Sequence, residues 1–405
     1  MTNNKRSNTS SLGSLSQFVF CIIHKKINKR LKVNLLFFII SQIGFLTYGQ
    51  EKSNEQQIPD LSISAFMDVF NVYDFSQPQT IARQDFLYNH NRHNEFNINL
   101  ALLKLDLQHS KYRASFGLQT GTYVNDNMAA EPSVLKNIFE ANIGISLNKN
   151  NNLWLDAGVL PSHIGFESAI SMDNFTLTRS LLAENSPYFL SGLSLSFYPN
   201  DKFEVKALIV NGWQRIQRLE GNSLPSFGTQ VKFNPSSRGS LNWSTFIGTD
   251  DNDLNRRMRY FNNLYGQFKV LNMFEFIAGV DFGFQQESKE SSQYDMWFSP
   301  IFIGQFKLNR KWKSAIRVEY FQDKESVITT QQSQSEIQLT AASINIDYSP
   351  SKNVICRIEG RWLNNKNDFL GSRITPSRDN YIFATSISLK LSKTRLNNYD
   401  KKTSF

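Results

Sequence analysis

Between Phe274 and Gln285 the side chains separate with a period of two. Phe274, Phe276, Ala278, Val280, Phe282 and Phe284 alternate with Glu275, Ile277, Gly279, Asp281, Gly283 and Gln285. Successive strand residues point to opposite sides, so this stretch reads as a β-strand with one apolar and one mostly polar face; a helix would mix the two sets. Its length exceeds the ordinary strand of about five or six residues. It suits a tilted strand crossing hydrocarbon, which needs about 9 to 11.

The pattern recurs along the chain. Leu61 to Phe70 reads as a first strand and is followed by a polar stretch from Asn71 to Asn94. Phe96, Ile98, Leu100 and Leu102 then alternate with polar or small residues, and the phase shifts to Leu103, Leu105 and Leu107, as a β-bulge would produce. Two-faced segments follow at 112–118, 139–147, 153–159, 193–197, 203–209, 227–234, 240–249, 259–270, 274–285, 296–308, 312–322, 337–348, 353–363 and 380–391. Turns at 108–111, 148–152, 199–202, 235–239, 271–273, 309–311 and 349–352 are short and rich in Pro, Asn, Ser and Lys. The connections between them, such as 123–137, 161–187, 214–226, 323–336 and 364–379, are longer and polar. The expected fold is all-β: a transmembrane antiparallel β-barrel of about 16 strands spanning 61–391, with short periplasmic turns and long extracellular loops.

Composition supports this reading. The chain has 405 residues, with 33 Phe, 14 Tyr and 6 Trp, yet its mean hydropathy is -0.38, which excludes a bundle of membrane helices. Aromatics spread over one face of many strands reconcile these numbers. The formal charge of +9 is concentrated at the start: Lys5, Arg6, Lys25, Lys26, Lys29, Arg30 and Lys32 precede residue 50, and no acidic residue does. The rest of the chain carries 37 basic against 35 acidic residues, which removes the main support for a nucleic-acid partner. Residues 1–49 read as a signal peptide with a long lead, its basic Lys25–Lys32 followed by an apolar run from Val33 to Leu46, with small residues before Gln50. A short periplasmic segment, 50–60, then precedes the barrel, and a polar tail, 392–405, follows it. Once Cys21 leaves with the signal, Cys356 is the one remaining thiol, so neither disulfides nor a cysteine metal site are expected.

If the apolar face meets lipid, the other lines the interior. Arg113, Glu140, Glu204, Lys206, Lys232, Lys269, Glu275, Asp281, Lys313, Arg317, Glu319, Arg357, Glu359, Arg361 and Lys390 share that phase and are the candidate pore-lining residues. A lipid-facing Lys or Arg near the midplane would cost roughly 2 to 4 kcal/mol. So many ionised groups imply a water-filled lumen, as in barrels of about 16 to 18 strands. Arg317, Arg357 and Arg361 could form a basic strip favouring anions, or be ion-paired wall residues with Glu319 and Glu359. The connection 161–187 either folds inward to narrow the pore or covers its mouth. Trp154 and Trp312 near the short turns, and Trp213, Trp297 and Trp362 near the long loops, are the expected interface aromatics; the alternative is that they close the core of the sheet.

The segment Gly158-Val159-Leu160-Pro161-Ser162-His163-Ile164-Gly165-Phe166-Glu167, the triplet Asn211-Gly212-Trp213, and the turns at Tyr198-Pro199 and Tyr348-Ser349-Pro350 resemble the OmpL-like β-barrel porins of Bacteroidetes-type bacteria. The similarity covers about residues 60–391. It implies an integral outer-membrane porin of a Gram-negative cell, inserted by the outer-membrane assembly machinery, with outer-membrane lipid and small hydrophilic solutes as partners and no catalytic residues. Passive diffusion of small hydrophilic solutes or ions through a water-filled channel is the function expected. The alternative is a non-conducting barrel that binds or adheres through its external loops. Nothing points to an enzyme, a cofactor or a metal: four histidines remain after residue 49, His90 and His93 read as a solvated loop and His163 with Glu167 as a structural pair. Oligomeric state stays open, a homo-oligomer included.

Overall fold

A computed structural model describes residues 59–395, apart from 79, 133, 330–335 and 372–375. The expected signal peptide, most of the segment before the barrel, and residues 396–405 of the tail lie outside the described residues.

The chain forms a closed barrel of sixteen antiparallel strands. They are β1 (Asp60–Asp74), β2 (Phe96–Gln108), β3 (Tyr112–Thr120), β4 (Ile138–Ser146), β5 (Leu153–Pro161), β6 (Phe189–Asn200), β7 (Phe203–Val210) and β8 (Ser226–Ser236). The second half comprises β9 (Gly239–Gly248), β10 (Arg259–Lys269), β11 (Phe274–Gln286), β12 (Tyr294–Lys307), β13 (Trp312–Asp323), β14 (Ile337–Ser351), β15 (Val354–Asn365) and β16 (Asp379–Arg395). Each strand pairs with its neighbours in sequence, and β1 closes the ring on β16, with Asp68 opposite Ser388. The last strand runs to Arg395, so the first residues assigned to a polar tail belong to the seam.

The period-two pattern is what selects the two faces. Ile143, Val318, Ile344, Ile387 and many other large apolar side chains stand exposed on the outer wall, a belt that only a non-aqueous surrounding would satisfy. The phase change in β2 falls at Asn99, earlier than the sequence suggests. Asp68 pairs with Leu100 and Val69 with Ile98, leaving Asn99 bulged. Leu100 and Leu102 consequently turn inward, where they pack with Phe66, Tyr123, Val124 and Ala169.

One end of the barrel carries tight turns of two to six residues; the other carries connections that reach 27 residues, at 162–188. Several of the long connections pack against the inner wall. Phe86 and Leu87, from 75–95, and Leu181, from 162–188, pack on Phe321, Leu339 and Leu363 of the inner wall. A second apolar cluster joins Ile164 to Leu208, Phe246, Phe261 and Trp297. Short helices α1 (Thr122–Asn127) and α2 (Leu181–Glu184) belong to these inserted or capping connections.

Candidate functional site

The inner surface divides into two walls of different character. On β13–β15 the polar side chains form a dry network. Arg317 Nε lies 3.1 Å from Glu319 and Nη2 3.0 Å from Glu359. Arg361 reaches Glu319 at 2.6 Å, and Arg357 reaches Asp347 at 3.0 Å. All six side chains are between 0 % and 2 % exposed.

Connection 162–188 lies over this wall because the wall satisfies its backbone. A loop inside a barrel has no strand partner, so its N–H and C=O groups need side chains. Arg357 donates to the carbonyls of Ser171 (2.6 Å), Asn174 (2.7 Å) and Thr176 (3.2 Å). Arg317 donates to Thr178 O (2.6 Å) and Arg361 to Arg179 O (3.0 Å). In return, Glu359 accepts from Thr178 N (2.6 Å), Glu319 from Leu181 N (2.6 Å) and Asn345 from Leu177 N (3.0 Å). Ser180 caps α2 by accepting from Ala183 N, while its own N–H and hydroxyl donate to Glu167.

These charges therefore do not face water, as the count of inward ionised groups suggests. The inserted loop replaces the solvent, and three arginines are balanced by three carboxylates. Asp281 belongs with them: it is buried, accepts from Asn263 Nδ2 at 2.5 Å, and Asn263 in turn accepts from Gly165 N at 3.1 Å.

The wall of β2–β7 differs. Lys104 Nζ sits 3.0 Å from Glu140 and 3.2 Å from Asp106, Arg113 donates to Asp156 at 2.7 Å, and Lys206 lies 2.8 Å from Glu204. Two of these pairs span an intervening strand, each across a glycine. In register, Gly117 lies between Lys104 and Glu140, and Gly144 between Arg113 and Asp156. A Cβ on Gly144 would collide with the Asp156 carboxylate and press on Arg113 Cγ. Two cavities open along this wall. One, of about 300 Å³, is lined by Asp106, Arg113, Asp156 and Lys206 toward the short-turn end; the other, of about 290 Å³, is lined by Gln119, Tyr123, Glu167 and Tyr188 toward the long-loop end. Lys104, Glu140 and Pro161 border both.

Of the remaining candidates, Glu275 accepts from Gln267 at 2.7 Å, Lys390 pairs with Asp173 at 2.6 Å, and Lys232, Lys269 and Lys313 sit toward the short-turn rim with Lys269 exposed. The aromatics divide. Trp312 and Trp362 face outward, Trp312 against Tyr348 with the rings tilted by 36° and Trp362 donating to Asp379. Trp154, Trp213 and Trp297 turn inward instead. Trp154 lies under Arg113 and donates to Asn151 O, and Trp213 and Trp297 pack with Phe261 in an internal cluster. Bulk at a strand end does not specify a face; the residue's phase does, and Trp297 shares the phase of Ser299 and Ile301.

His90 and His163 are buried, and His93 is half-buried. His90 is buried with Nε2 2.9 Å from Asp68, Asp74 N donates to His93 Nδ1, and buried His163 donates from Nε2 to Thr245 O at 2.8 Å. Among the described residues no cluster of three or more potential ligands could hold a metal ion. Lys104, Asp106 and Asp156 went unrecognised as site residues, although a period-two signal marks them: each sits between outward apolar neighbours, such as Leu103 and Leu105 around Lys104.

A family model described as "Putative beta-barrel porin-2, OmpL-like" matches residues 60–391. No curated protein matches the chain. Among solved structures, an anion-selective porin from Comamonas acidovorans aligns with a TM-score of 0.56 at 8% identity, over 82% of this chain and 100% of that one. The outer membrane channel DcaP of Acinetobacter baumannii aligns with a TM-score of 0.54 at 11% identity, over 84% and 100%. Salmonella typhi OmpF, solved as a complex with daunomycin, aligns with a TM-score of 0.52 at 10% identity, also over 84% and 100%. At such identities the likeness is one of fold.

Proposed function

We propose a function from a fixed premise: the chain belongs to the β-barrel porin-2, OmpL-like family and is an outer-membrane β-barrel porin. On our reading it lets small hydrophilic solutes or ions diffuse passively across the outer membrane, without catalysis. Its setting supplies outer-membrane lipid around the belt and assembly machinery that inserts the barrel, with short turns on the periplasmic side and long connections outside. The observation that carries this reading is the pair of cavities beside β2–β7, one lined mainly by charged and polar side chains and the other of mixed lining, which the inserted loop leaves open while it fills the opposite side. Passage along polar walls is what lumen side chains regulate in such barrels.

The test is single-channel conductance of the purified, detergent-folded protein in a planar bilayer. Discrete, stable steps support the channel. A sealed barrel that binds at the cell surface is the second reading, favoured by the dry packing of 75–95 and 162–188 against β13–β15. Folded protein that never conducts would decide for it.

A further inference from the structure

Granted the channel reading, we propose that solutes cross off-centre, along β2–β7, through a waist at Lys104, Glu140 and Pro161, and that the route favours small uncharged or zwitterionic solutes over ions of either sign.

The position follows from where charge remains accessible. Side-chain exposures are 21 % at Lys104, 27 % at Asp106, 25 % at Arg113 and 26 % at Lys206, against 0 % or 1 % at Arg317, Arg357 and Arg361. The arginine wall is thus spent on holding the loop and presents nothing to a solute. The two cavities both border Lys104, Glu140 and Pro161, which places that trio at the boundary a solute would have to cross between them. Pro161 ends β5 where the inserted connection begins, so the loop forms one side of the waist and the Lys104–Glu140 pair the other.

The solute class follows from pairing. Each of the three accessible cations lies within 3.2 Å of a carboxylate. Four carboxylates (Asp106, Glu140, Asp156 and Glu167) and three cations (Lys104, Arg113 and Lys206) line the two cavities, so the net field is small and slightly favours cations. A field that changes sign over one ion-pair length does not gather ions of one charge, whereas it matches a zwitterion's two ends or the donors and acceptors of a polyol. Each cavity lies near the lower bound of the roughly 300–1,000 Å³ typical of ligand pockets, which suits a solute the size of a monosaccharide or amino acid.

The experiment uses the full-length barrel in planar bilayers under a KCl gradient, with liposome swelling for solutes. Wild-type protein is expected to show a reversal potential near zero. Lys104→Gln is expected to move the cation-to-anion permeability ratio up, and Glu140→Gln down, by roughly twofold each. On a Cys356→Ser background, a charged thiol reagent is expected to block current through Ser115→Cys, which lines the short-turn cavity, and to spare Ser343→Cys on the arginine wall. Swelling in a monosaccharide or glycine should outpace swelling in gluconate. Conducting channels that are strongly ion-selective, indifferent to Lys104 and Glu140, or blocked at Ser343 in place of Ser115 would overturn the route while leaving the porin reading intact. Absence of conductance from folded wild-type protein would overturn the porin reading and this inference with it.

Discussion

Arg317 is the residue whose loss the inserted loop should feel most. It bridges Glu319 and Glu359 and donates to Thr176 Oγ1, Thr178 O and Thr178 Oγ1, with no side-chain exposure. Arg317→Ala leaves Glu359 buried without its guanidinium partner, while Glu319 keeps Arg361. Breaking one partner out of a buried ion pair costs about 3–5 kcal/mol. Arg357 still holds 171–176 through three carbonyls, so the expected damage is local opening of 176–181 while the barrel stays closed. At ~1.4 kcal/mol per factor of ten, a cost of ~3 kcal/mol raises the open population by about two orders of magnitude. Arg179 reports it directly, because the residue is 2 % exposed and forms a trypsin site only when that segment opens. Folded variant and wild type would be exposed to trypsin and the fragments resolved after denaturation; cleavage after Arg179 is expected about 10²-fold faster in Arg317→Ala. Combining Arg317→Met with Glu359→Gln should recover much of the protection, since no unpaired charge then remains. Equal cleavage rates in wild type and Arg317→Ala would refute the claim that this network holds the loop.

Other residues give independent checks. Gly144→Ala should push Asp156 away from Arg113 and lower the barrel's stability by about 1–3 kcal/mol, read by the temperature at which the folded band is lost on cold-loaded gels. Trp297→Ala removes the plate stacked on Phe261 and edge-on to Trp213, at a cost of about 3–5 kcal/mol by the same gel assay, with ion preference unchanged. Burial holds the His163 imidazole down to about 4 against an ordinary 6.5. The neutral ring therefore contributes stability that is complete above pH 6.5 and lost as pH falls toward 4, on the order of 3 kcal/mol. Amide exchange at Ile164 and Gly165 should accelerate over that interval, and His163→Gln should flatten the response.

Much of the fold was legible because a barrel strand has only two faces. Phe274–Gln285 announces both its length and its orientation, and sixteen such segments separated by alternating short and long connections leave few architectures open. The inward phase of Arg317, Glu319, Arg357, Glu359 and Arg361 was equally readable. Whether those residues meet water was not, because that depends on partners about 140 to 190 positions away in sequence, such as Thr178 for Glu359. The waist was obscured by one bulged residue. Placing the phase change after Leu102 hides the fact that Leu100 and Leu102 point inward on the same face as Lys104, whereas the bulge at Asn99 aligns all three. Proximity to a strand end carries no facing information: Trp154 and Trp297 take the inward phase of their strands, and Trp213 lies past the end of β7, where no alternation applies.

The closing seam has a consequence for how the molecule is assembled. Ser171 of the inserted loop donates to Asp68 on β1, Ser388 on β16 donates to the same carboxylate, and Lys390 on β16 grips Asp173. The loop thus straddles the junction between the first and last strands, and its other clasps, Arg357 and Arg361, are synthesised some 180 residues after it. Until the final hairpin arrives, the clasps that Arg357, Arg361 and Lys390 supply are missing, and the loop is held only by earlier strands such as β13 through Arg317 and Glu319. Ring closure and completion of the loop's fastening are therefore expected to coincide, with the loop acting as the buckle of a belt whose two ends meet beneath it.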